Sequence, residues 1–305
     1  MTPEQPTPSV LPQPVREVYP WASHWLKVDG GNMHYIDEGP SDAPVMLCVH
    51  GNPTWSFYWR ELIQKYAGNF RVIVPDHIGC GLSDKPQDWN YRLADHVTNL
   101  QTLVETLDLK NITLVVHDWG GAIGMGVATR QPNRFSRFVV TNTAAFLSKA
   151  IPPSIAVVKV PGFGALAVRG GNAFARIATW RAVSRPLEQS ARAGLLFPYG
   201  NWADRIATLR FVQDIPLSAS HPSYAELSRI DQGLKNLQKQ PMLICWGDAD
   251  FCFTPQFRTE WEKRFPAAQV HHWSDVGHYV MEDAHDRVVN AMDAFLTPGE
   301  AQAHG

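Results

Sequence analysis

Two hydrophobic patterns alternate along the chain. Short apolar runs, several of them rich in Val, Ile and Leu, are typical of parallel strands that are buried on both faces. These runs predict strands at Asn32–Asp37, Val45–His50, Arg71–Pro75, Ile112–His117, Phe138–Thr141, Met242–Trp246 and Gln269–Trp273. Apolar residues at helical spacing lie between them, at Trp55–Tyr66, Leu93–Leu107, Trp119–Arg130 and Thr254–Arg264. Because strands and helices alternate, we expect an α/β fold, with a mostly parallel central sheet and helices on both faces.

The strand pattern is interrupted once. Residues 147–237 contain no convincing buried strand and are rich in Ala, Arg, Phe and Pro, which indicates several helices. A regular strand pattern resumes at Met242. We therefore predict a core formed by residues 21–146 and 238–298, with an inserted helical cap at 147–237. Residues 1–20 and 299–305 are predicted to be a flexible leader and a flexible tail.

The composition narrows the class of protein. Apolar residues make up 45% of the 305 residues and charged residues 18%, so a large buried core is expected. The net charge is −2 and no basic run occurs, so neither nucleic acid nor an anionic lipid surface is indicated as a partner. No run of about 18 apolar residues occurs, which predicts no membrane span.

The cysteines and the first residues suggest a cellular setting. The four cysteines match no zinc spacing, and two of them lie within apolar runs, as free thiols commonly do. The first 20 residues lack the apolar segment of a signal peptide. Reduced thiols and a cytoplasmic protein are therefore expected.

One segment has the sequence of a nucleophile elbow. In Leu114–Gly121 (LVVHDWGG), an apolar strand leads into one polar residue, then small residues, then a helix. This layout holds a nucleophile above the sheet on a tight turn. The residue at the centre is Asp118, and a carboxylate that attacks carbon leaves an ester on the enzyme. Taken alone, the motif is equally compatible with Asp118 acting as a helix N-cap.

Two later segments supply partners for such a nucleophile. Elbow enzymes order their triad as nucleophile, acid and histidine. Asp248 and Asp250 follow one predicted strand, and His278 follows the last. The carboxyl ends of these strands are where active sites of open α/β sheets form. We predict Asp118 as nucleophile, His278 as base and Asp250 as the acid that orients it, with Asp248 as the alternative acid.

A loop after the second predicted strand completes the site. His50–Thr54 (HGNPT) occupies the position from which this fold donates one backbone N–H to an oxyanion hole, and the residue after the nucleophile donates the other. These residues are Asn52 and Trp119. Their side chains are both neutral hydrogen-bond donors, which suits an anionic leaving group. Simple packing is the alternative role for Trp119.

The chain resembles the haloalkane dehalogenases of the α/β-hydrolase superfamily over nearly its whole length after the leader. The matching segments are HGNPT, DHIGCGLSDKP at Asp76–Pro86, HDWGG at His117–Gly121, WGDAD at Trp246–Asp250 and GHYVMED at Gly277–Asp283. The acid after the later strand, with Asn52 and Trp119 as donors, is the pattern of the third subfamily. The resemblance implies the same roles for these residues here.

Further segments narrow the resemblance to the β-lactone decarboxylases of bacterial olefin synthesis. They are NTAAF at Asn142–Phe146, YGNW at Tyr199–Trp202, RFVQDIPL at Arg210–Leu217 and FCF at Phe251–Phe253. Such enzymes convert a cis-3,4-dialkyl β-lactone into a cis-alkene and carbon dioxide. The resemblance implies a small hydrophobic substrate, and other enzymes of that pathway as partners.

Other functions remain as alternatives. The first is hydrolysis of 1-haloalkanes through an Asp118 ester. Epoxide hydrolysis ranks lower, because it needs tyrosine donors from the cap and that segment contains only Tyr199 and Tyr224. A non-catalytic receptor would gain nothing from a complete set of catalytic residues. Neither a phosphate-binding fingerprint nor a metal-ligand spacing occurs, so no cofactor and no metal is expected.

Overall fold

The computed structural model describes residues 11–148, 150, 152, 155–156, 159 and 162–297. Its centre is an eight-stranded sheet with the order β1-β2-β4-β3-β5-β6-β7-β8. The strands are β1 (His24–Val28), β2 (Gly31–Glu38), β3 (Val45–Val49), β4 (Arg71–Pro75), β5 (Ile112–Asp118), β6 (Phe135–Thr143), β7 (Met242–Gly247) and β8 (Gln269–Trp273). Strand β2 is antiparallel to both β1 and β4, and the pairings from β4 through β8 are parallel. The predicted fold class is confirmed.

Helices cover both faces of this sheet. They are α1 (Gln13–Val18), α2 (Arg60–Tyr66), α3 (Leu93–Thr106), α4 (Trp119–Arg130), α5 (Phe163–Ala165), α6 (Ala173–Arg181), α7 (Gln189–Leu196), α8 (Ile206–Gln213), α9 (Tyr224–Gly233), α10 (Pro255–Arg264) and α11 (Val280–Leu296). A π-helical segment, Leu166–Gly170, follows α5 directly.

Alternation of side chains along the strands produces two hydrophobic cores. In β3, Leu47 and Val49 belong to the core beneath α3 and α4, whereas Met46 and Cys48 belong to the core beneath α2 and α11. All five residues of this strand are buried. Strands buried on both faces read as unbroken apolar runs, which is why the sequence pattern located them.

The seven predicted strands are all present, with ends that differ by a few residues at most. Two elements of the predicted core were not predicted, namely β1 and α11. Strand β1 is an edge strand whose residues are half-buried or exposed, so it has no apolar run. Helix α11 follows directly on the segment that contains His278, and its apolar spacing was not recognised.

The prediction of a flexible leader is wrong for residues 11–20. Helix α1 lies here, and Leu11, Val15 and Tyr19 are buried in the core beneath α2 and α11. The phenol of Tyr19 also lies 2.6 Å from the hydroxyl of Ser56. These three apolar residues recur every four positions, so one helical face is apolar although the segment as a whole is polar. Residues 1–10 and the whole of the predicted tail, 299–305, lie outside the described residues.

Between β6 and β7 the described residues form helices and turns, from α5 to α9. This agrees with the helical character expected of residues 147–237, while the division into core and cap stays a prediction. Over the part of the chain that the structure describes, no helix is long and apolar enough to cross a membrane.

Candidate active site

Asp118 occupies the turn between β5 and α4. Its φ of 52° lies in a region that residues other than glycine rarely adopt. Close packing beneath the turn accompanies this conformation: a side chain at Gly120 would collide with the backbone of Val49, and one at Gly121 with Thr143. The hydroxyl of Thr143 donates a hydrogen bond to the carbonyl of Asp118. The carboxylate makes no capping bond to α4, so the N-cap role is not observed.

The two oxygens of the Asp118 carboxylate have different surroundings. Oδ1 accepts a 2.6 Å hydrogen bond from the backbone N–H of Asn52. Gly51 permits this approach, because a Cβ there would overlap Asp118. Oδ2 lies 3.7 Å from Nε2 of His278. One oxygen is thus held by the backbone, and the other faces the imidazole.

His278 is fixed from its other side by Asp250. Its Nδ1 donates a 2.8 Å hydrogen bond to Oδ2 of Asp250, and both side chains are buried. Asp248 points elsewhere, with Oδ2 2.6 Å from Nδ1 of His272 and Oδ1 3.2 Å from Arg258. The geometry therefore selects Asp250 over Asp248 as the partner of His278.

Burial and mutual charge shift the pKa values of this pair. Burial raises the pKa of Asp118, although the charge of His278 and the backbone N–H groups of Asn52 and Trp119 oppose the shift. Burial disfavours the charged form of His278, but the negative charges of Asp250 and Asp118 outweigh it and raise its pKa. Both pKa values therefore lie above the ordinary values of these groups.

Four further residues hold the site, and sequence reasoning had assigned them no role. Nδ2 of Asn142 donates to Oδ2 of Asp250 and to the Gly247 carbonyl, at 2.9 Å each, while its Oδ1 accepts from the Gly247 N–H at 2.8 Å. The N–H of Cys252 donates to Oδ1 of Asp250. Nε2 of His117 donates to the carbonyl of His278. The carboxylate of Asp283 accepts from the N–H of Gly277.

A signal for one of these residues, Asn142, was present in the sequence. Asn142 stands at the carboxyl end of a predicted strand, as Asp118 and Asp250 do, and polar residues at that edge gather at the site. In the structure its φ is 29°, and Asn is one of the residue types that tolerate a positive φ. Asp283 belongs to the GHYVMED segment but is separated from His278 by a turn, so its contact with Gly277 was not readable.

Asn52 and Trp119 both face the space above Asp118. Nδ2 of Asn52 donates to the Thr208 carbonyl on α8, 3.2 Å away. The Trp119 ring packs against Phe211 of the same helix, with 5.3 Å between ring centroids. Trp119 therefore packs against α8 and also faces the cavity. Helix α8 contacts the side chains of both Asn52 and Trp119.

The cavity above Asp118 is mainly apolar. Its space, counted out to the open mouth, is about 1090 Å³. Beside the residues already described, its walls include Phe146, Ile155, Phe174, Ile215, Leu227 and Phe257. Phe253 stacks on the imidazole of His278 at a centroid distance of 5.7 Å. Such walls suit a substrate with hydrocarbon chains and exclude most water from the carboxylate.

Comparison with known proteins places this architecture in a family. A family model described as the alpha/beta hydrolase fold matches residues 44–284. The chain belongs to the α/β-hydrolase family. It is 45% identical to the cis-3-alkyl-4-alkyloxetan-2-one decarboxylase of Shewanella oneidensis, over 93% of this chain and 91% of that protein.

Dehalogenases of the same family are more distant. Haloalkane dehalogenase 2 of Mycobacterium tuberculosis is 30% identical over 92% of this chain and 96% of that protein. The crystal structure of a loop variant of the haloalkane dehalogenase DbeA from Bradyrhizobium elkanii superimposes with a TM-score of 0.81 at 26% identity. The superposition covers 90% of this chain and 95% of the DbeA variant. The resemblance to dehalogenases and to the β-lactone decarboxylases is thereby confirmed, and this family member is an enzyme.

Proposed function

We propose that this enzyme decarboxylates cis-3-alkyl-4-alkyl β-lactones to cis-alkenes, with Asp118 as a covalent nucleophile. The observation that carries the proposal is that the Asp118 carboxylate has one oxygen available at the base of an apolar cavity. The chain is also 45% identical to a protein named cis-3-alkyl-4-alkyloxetan-2-one decarboxylase. The two alkyl chains of such a substrate match the apolar walls.

Attack at ring carbon C4 gives a balanced reaction. Oδ2 of Asp118 forms an ester bond to C4, the bond from C4 to the ring oxygen breaks, and a carboxylate remains on C3. The C3–carboxylate bond then breaks to release carbon dioxide. Its electron pair forms the C3=C4 double bond and expels Asp118. No water, oxidant or proton is consumed.

The same route accounts for the cis geometry. Displacement comes from the face opposite the ring oxygen, so the ester lies anti to the carboxylate. Elimination from this arrangement leaves both alkyl groups on one side. Attack at the carbonyl instead would leave the ring oxygen on C4, and that oxygen would have to return to the carbonyl carbon before carbon dioxide could form.

The remaining residues stabilise charge in this scheme. The side chains of Asn52 and Trp119 face the cavity and donate to the oxygen released from C4. His278, oriented by Asp250 at 2.8 Å, holds positive charge beside the developing and departing carboxylates. In a hydrolytic reaction the same imidazole would act as the base that activates water.

Haloalkane hydrolysis is the second candidate, favoured by the dehalogenase relatives and by a cavity that serves both reactions. In that reaction Asn52 and Trp119 would hold the halide. Epoxide hydrolysis is disfavoured by the positions of the two cap tyrosines. Tyr199 donates to the Thr54 carbonyl at 3.4 Å, and Tyr224 lines a separate surface cavity. Among the described residues that line the main cavity, Tyr279 is the single tyrosine, and it follows His278 directly.

The wider setting is proposed on the same basis. We propose that residues 147–237 act as a cap that supplies the apolar walls opposite Asp118. Other enzymes of olefin synthesis are proposed as partners, since the lactone must be supplied by another enzyme. Size-exclusion chromatography with co-expressed pathway enzymes tests this, and a lone monomer peak would count against it.

The decisive experiment measures both products. Purified enzyme is incubated with a cis-3,4-dialkyl β-lactone and, separately, with 1-bromobutane. Alkene is measured by gas chromatography and bromide by ion chromatography. We expect fast cis-alkene and little bromide. Fast bromide without alkene would make the enzyme a dehalogenase, and neither product would reject both functions.

Two controls make the result specific. Asp118→Ala is expected to abolish both reactions, since the nucleophile is lost. The trans lactone is the stereochemical control, because the proposed route converts it into the trans-alkene. Mixed alkene geometry from either isomer would contradict anti elimination from the Asp118 ester.

A further inference from the structure

Charge is distributed unevenly along this chain. Residues 147–203 contain seven Lys or Arg residues and one acidic residue, Glu188, which gives a formal charge of +6. The whole chain has a net charge of −2, so the remaining residues together carry −8. The small net charge is therefore the sum of two regions of opposite sign. It does not exclude a polyanionic partner for residues 147–203.

Exposed apolar side chains are concentrated in the same region. Five large apolar side chains are exposed in the described part of the chain, and four of them lie between residues 166 and 202. They are Leu166, Ile177, Trp180 and Trp202, of which Leu166 is 69% exposed and Trp180 64%. Single exposed apolar residues are ordinary, but a cluster within a cationic segment marks an interaction surface.

Helix α6 has two functional sides. Phe174 and Ala178, one turn apart, line the cavity above Asp118. Ile177 and Trp180 are exposed, as is Arg176 beside them. The helix is therefore a wall of the cavity on one side and an apolar, cationic outer surface on the other.

Neighbouring segments extend this outer surface. Trp202 packs near Gly170 at the end of the π-helical segment that begins at Leu166, and the Arg169 guanidinium lies over the Trp202 ring at 4.7 Å. Arg192 on α7 is exposed as well, and α7 contacts α6. We call Leu166, Arg176, Ile177, Trp180, Arg192 and Trp202 the outer cap surface.

We propose that the outer cap surface binds an anionic lipid bilayer peripherally. Tryptophan and aliphatic side chains interleaved with arginine are the composition of helices that lie in the membrane interface. Arginine charge complements anionic headgroups, and each residue near the surface strengthens binding by about fivefold. The interaction surface does not depend on which reaction the enzyme catalyses.

Not every cation of the segment contributes to this surface. The Lys159 ammonium donates to three backbone carbonyls, the nearest being that of Ile215 at 2.7 Å. Arg185 lies 3.6 Å from Asp275 and is partly neutralised. Arg181 stacks over Phe251 at 4.5 Å, next to the cavity. Arg169 is engaged by Trp202 and Gln87, and Lys149 lies outside the described residues. Arg176 and Arg192 are therefore the cations to test.

Vesicle co-flotation tests the proposal. The full chain is mixed with vesicles of phosphatidylcholine alone or of an equimolar mixture with phosphatidylglycerol, at low and at high salt. We expect flotation with the anionic vesicles at low salt, and at least a tenfold smaller bound fraction with neutral vesicles or at high salt.

Variants locate the contact. Ile177→Ser/Trp180→Ser and, separately, Arg176→Gln/Arg192→Gln are each expected to lower the bound fraction by roughly tenfold or more. Lys235→Gln/Lys239→Gln removes the same charge from exposed positions elsewhere and is expected to bind as the unmodified chain does. Equal losses in both charge variants would show nonspecific attraction and overturn the proposal.

Two further outcomes would also overturn it. One is no flotation of the unmodified chain with anionic vesicles. The other is a dimer in size-exclusion chromatography that Ile177→Ser/Trp180→Ser converts into a monomer without any flotation, which would assign the surface to self-association. Circular dichroism spectra of all variants exclude misfolding as the cause.

Discussion

Nε2 of His278 lies 3.7 Å from Oδ2 of Asp118, whereas Oδ1 of the same carboxylate accepts a 2.6 Å hydrogen bond from the Asn52 backbone. The oxygens are thus distinguished before substrate arrives. In the proposed reaction Oδ2 is the oxygen that attacks, and Oδ1 becomes the carbonyl oxygen of the ester while it keeps its bond to the Asn52 N–H. Four predictions depend on this arrangement.

The first prediction concerns the acid. Asp250→Asn is expected to lower alkene formation by about 100-fold, because Asn cannot stabilise a positive charge on His278. Asp248→Asn is the matched control, since Asp248 contacts His272 and Arg258 instead. It is expected to stay within about threefold of the unmodified enzyme. The reverse order of effects in kcat measurements would assign the acid to Asp248.

The second prediction separates the two reactions through His278→Gln. With 1-bromobutane the Asp118 ester is expected to persist, because no base activates water, and intact-protein mass spectrometry should detect enzyme plus one butyl group. With the lactone no adduct should accumulate, because the C4 ester fragments without water. An accumulating lactone adduct would indicate that the imidazole is needed for fragmentation.

The third prediction concerns Asn142, a buried residue that positions Asp250. Asn142→Ala removes the three hydrogen bonds to Asp250 and Gly247 and is expected to lower the free energy of unfolding by about 1–3 kcal/mol, with a roughly tenfold lower kcat. Asn99→Ala is the control, since buried Asn99 donates to the Asp29 carbonyl away from the site. It should lower stability without changing kcat. Equal kcat values for the two variants would deny Asn142 a positioning role.

The fourth prediction concerns pH. In the proposed reaction Asp118 attacks as a carboxylate, and burial raises its pKa. Alkene formation is therefore expected to fall with decreasing pH at a midpoint above the ordinary value of 3.8. Hydrolysis also needs neutral His278, whose pKa is raised above 6.5, so bromide release should rise with pH through a midpoint above that value. Profiles of kcat/KM for the lactone and of kcat for 1-bromobutane check this, because His278 acts after the bromide has left. An alkene midpoint at or below 3.8 would contradict the raised pKa of Asp118.

Much of the scaffold was predictable from the order of residues along the chain. Parallel strands buried on both faces must be apolar throughout, so runs such as Val45–Val49 located the sheet. The elbow at Asp118 was readable because a tight strand-to-helix turn needs small residues, here Gly120 and Gly121, within a few positions. His278 followed from triad order. These features are local, and local spacing is what a sequence displays directly.

Contacts between distant residues were decided only by the tertiary structure. Asp248 and Asp250 follow the same strand two residues apart, and the path of the loop alone directs Asp250 to His278. Asn142 reaches Gly247 across 105 residues of chain. The two oxygens of Asp118 differ because separate loops approach them. The direction of a hydrogen bond depends on how such loops meet in space, and neither composition nor periodicity along the sequence contains that information.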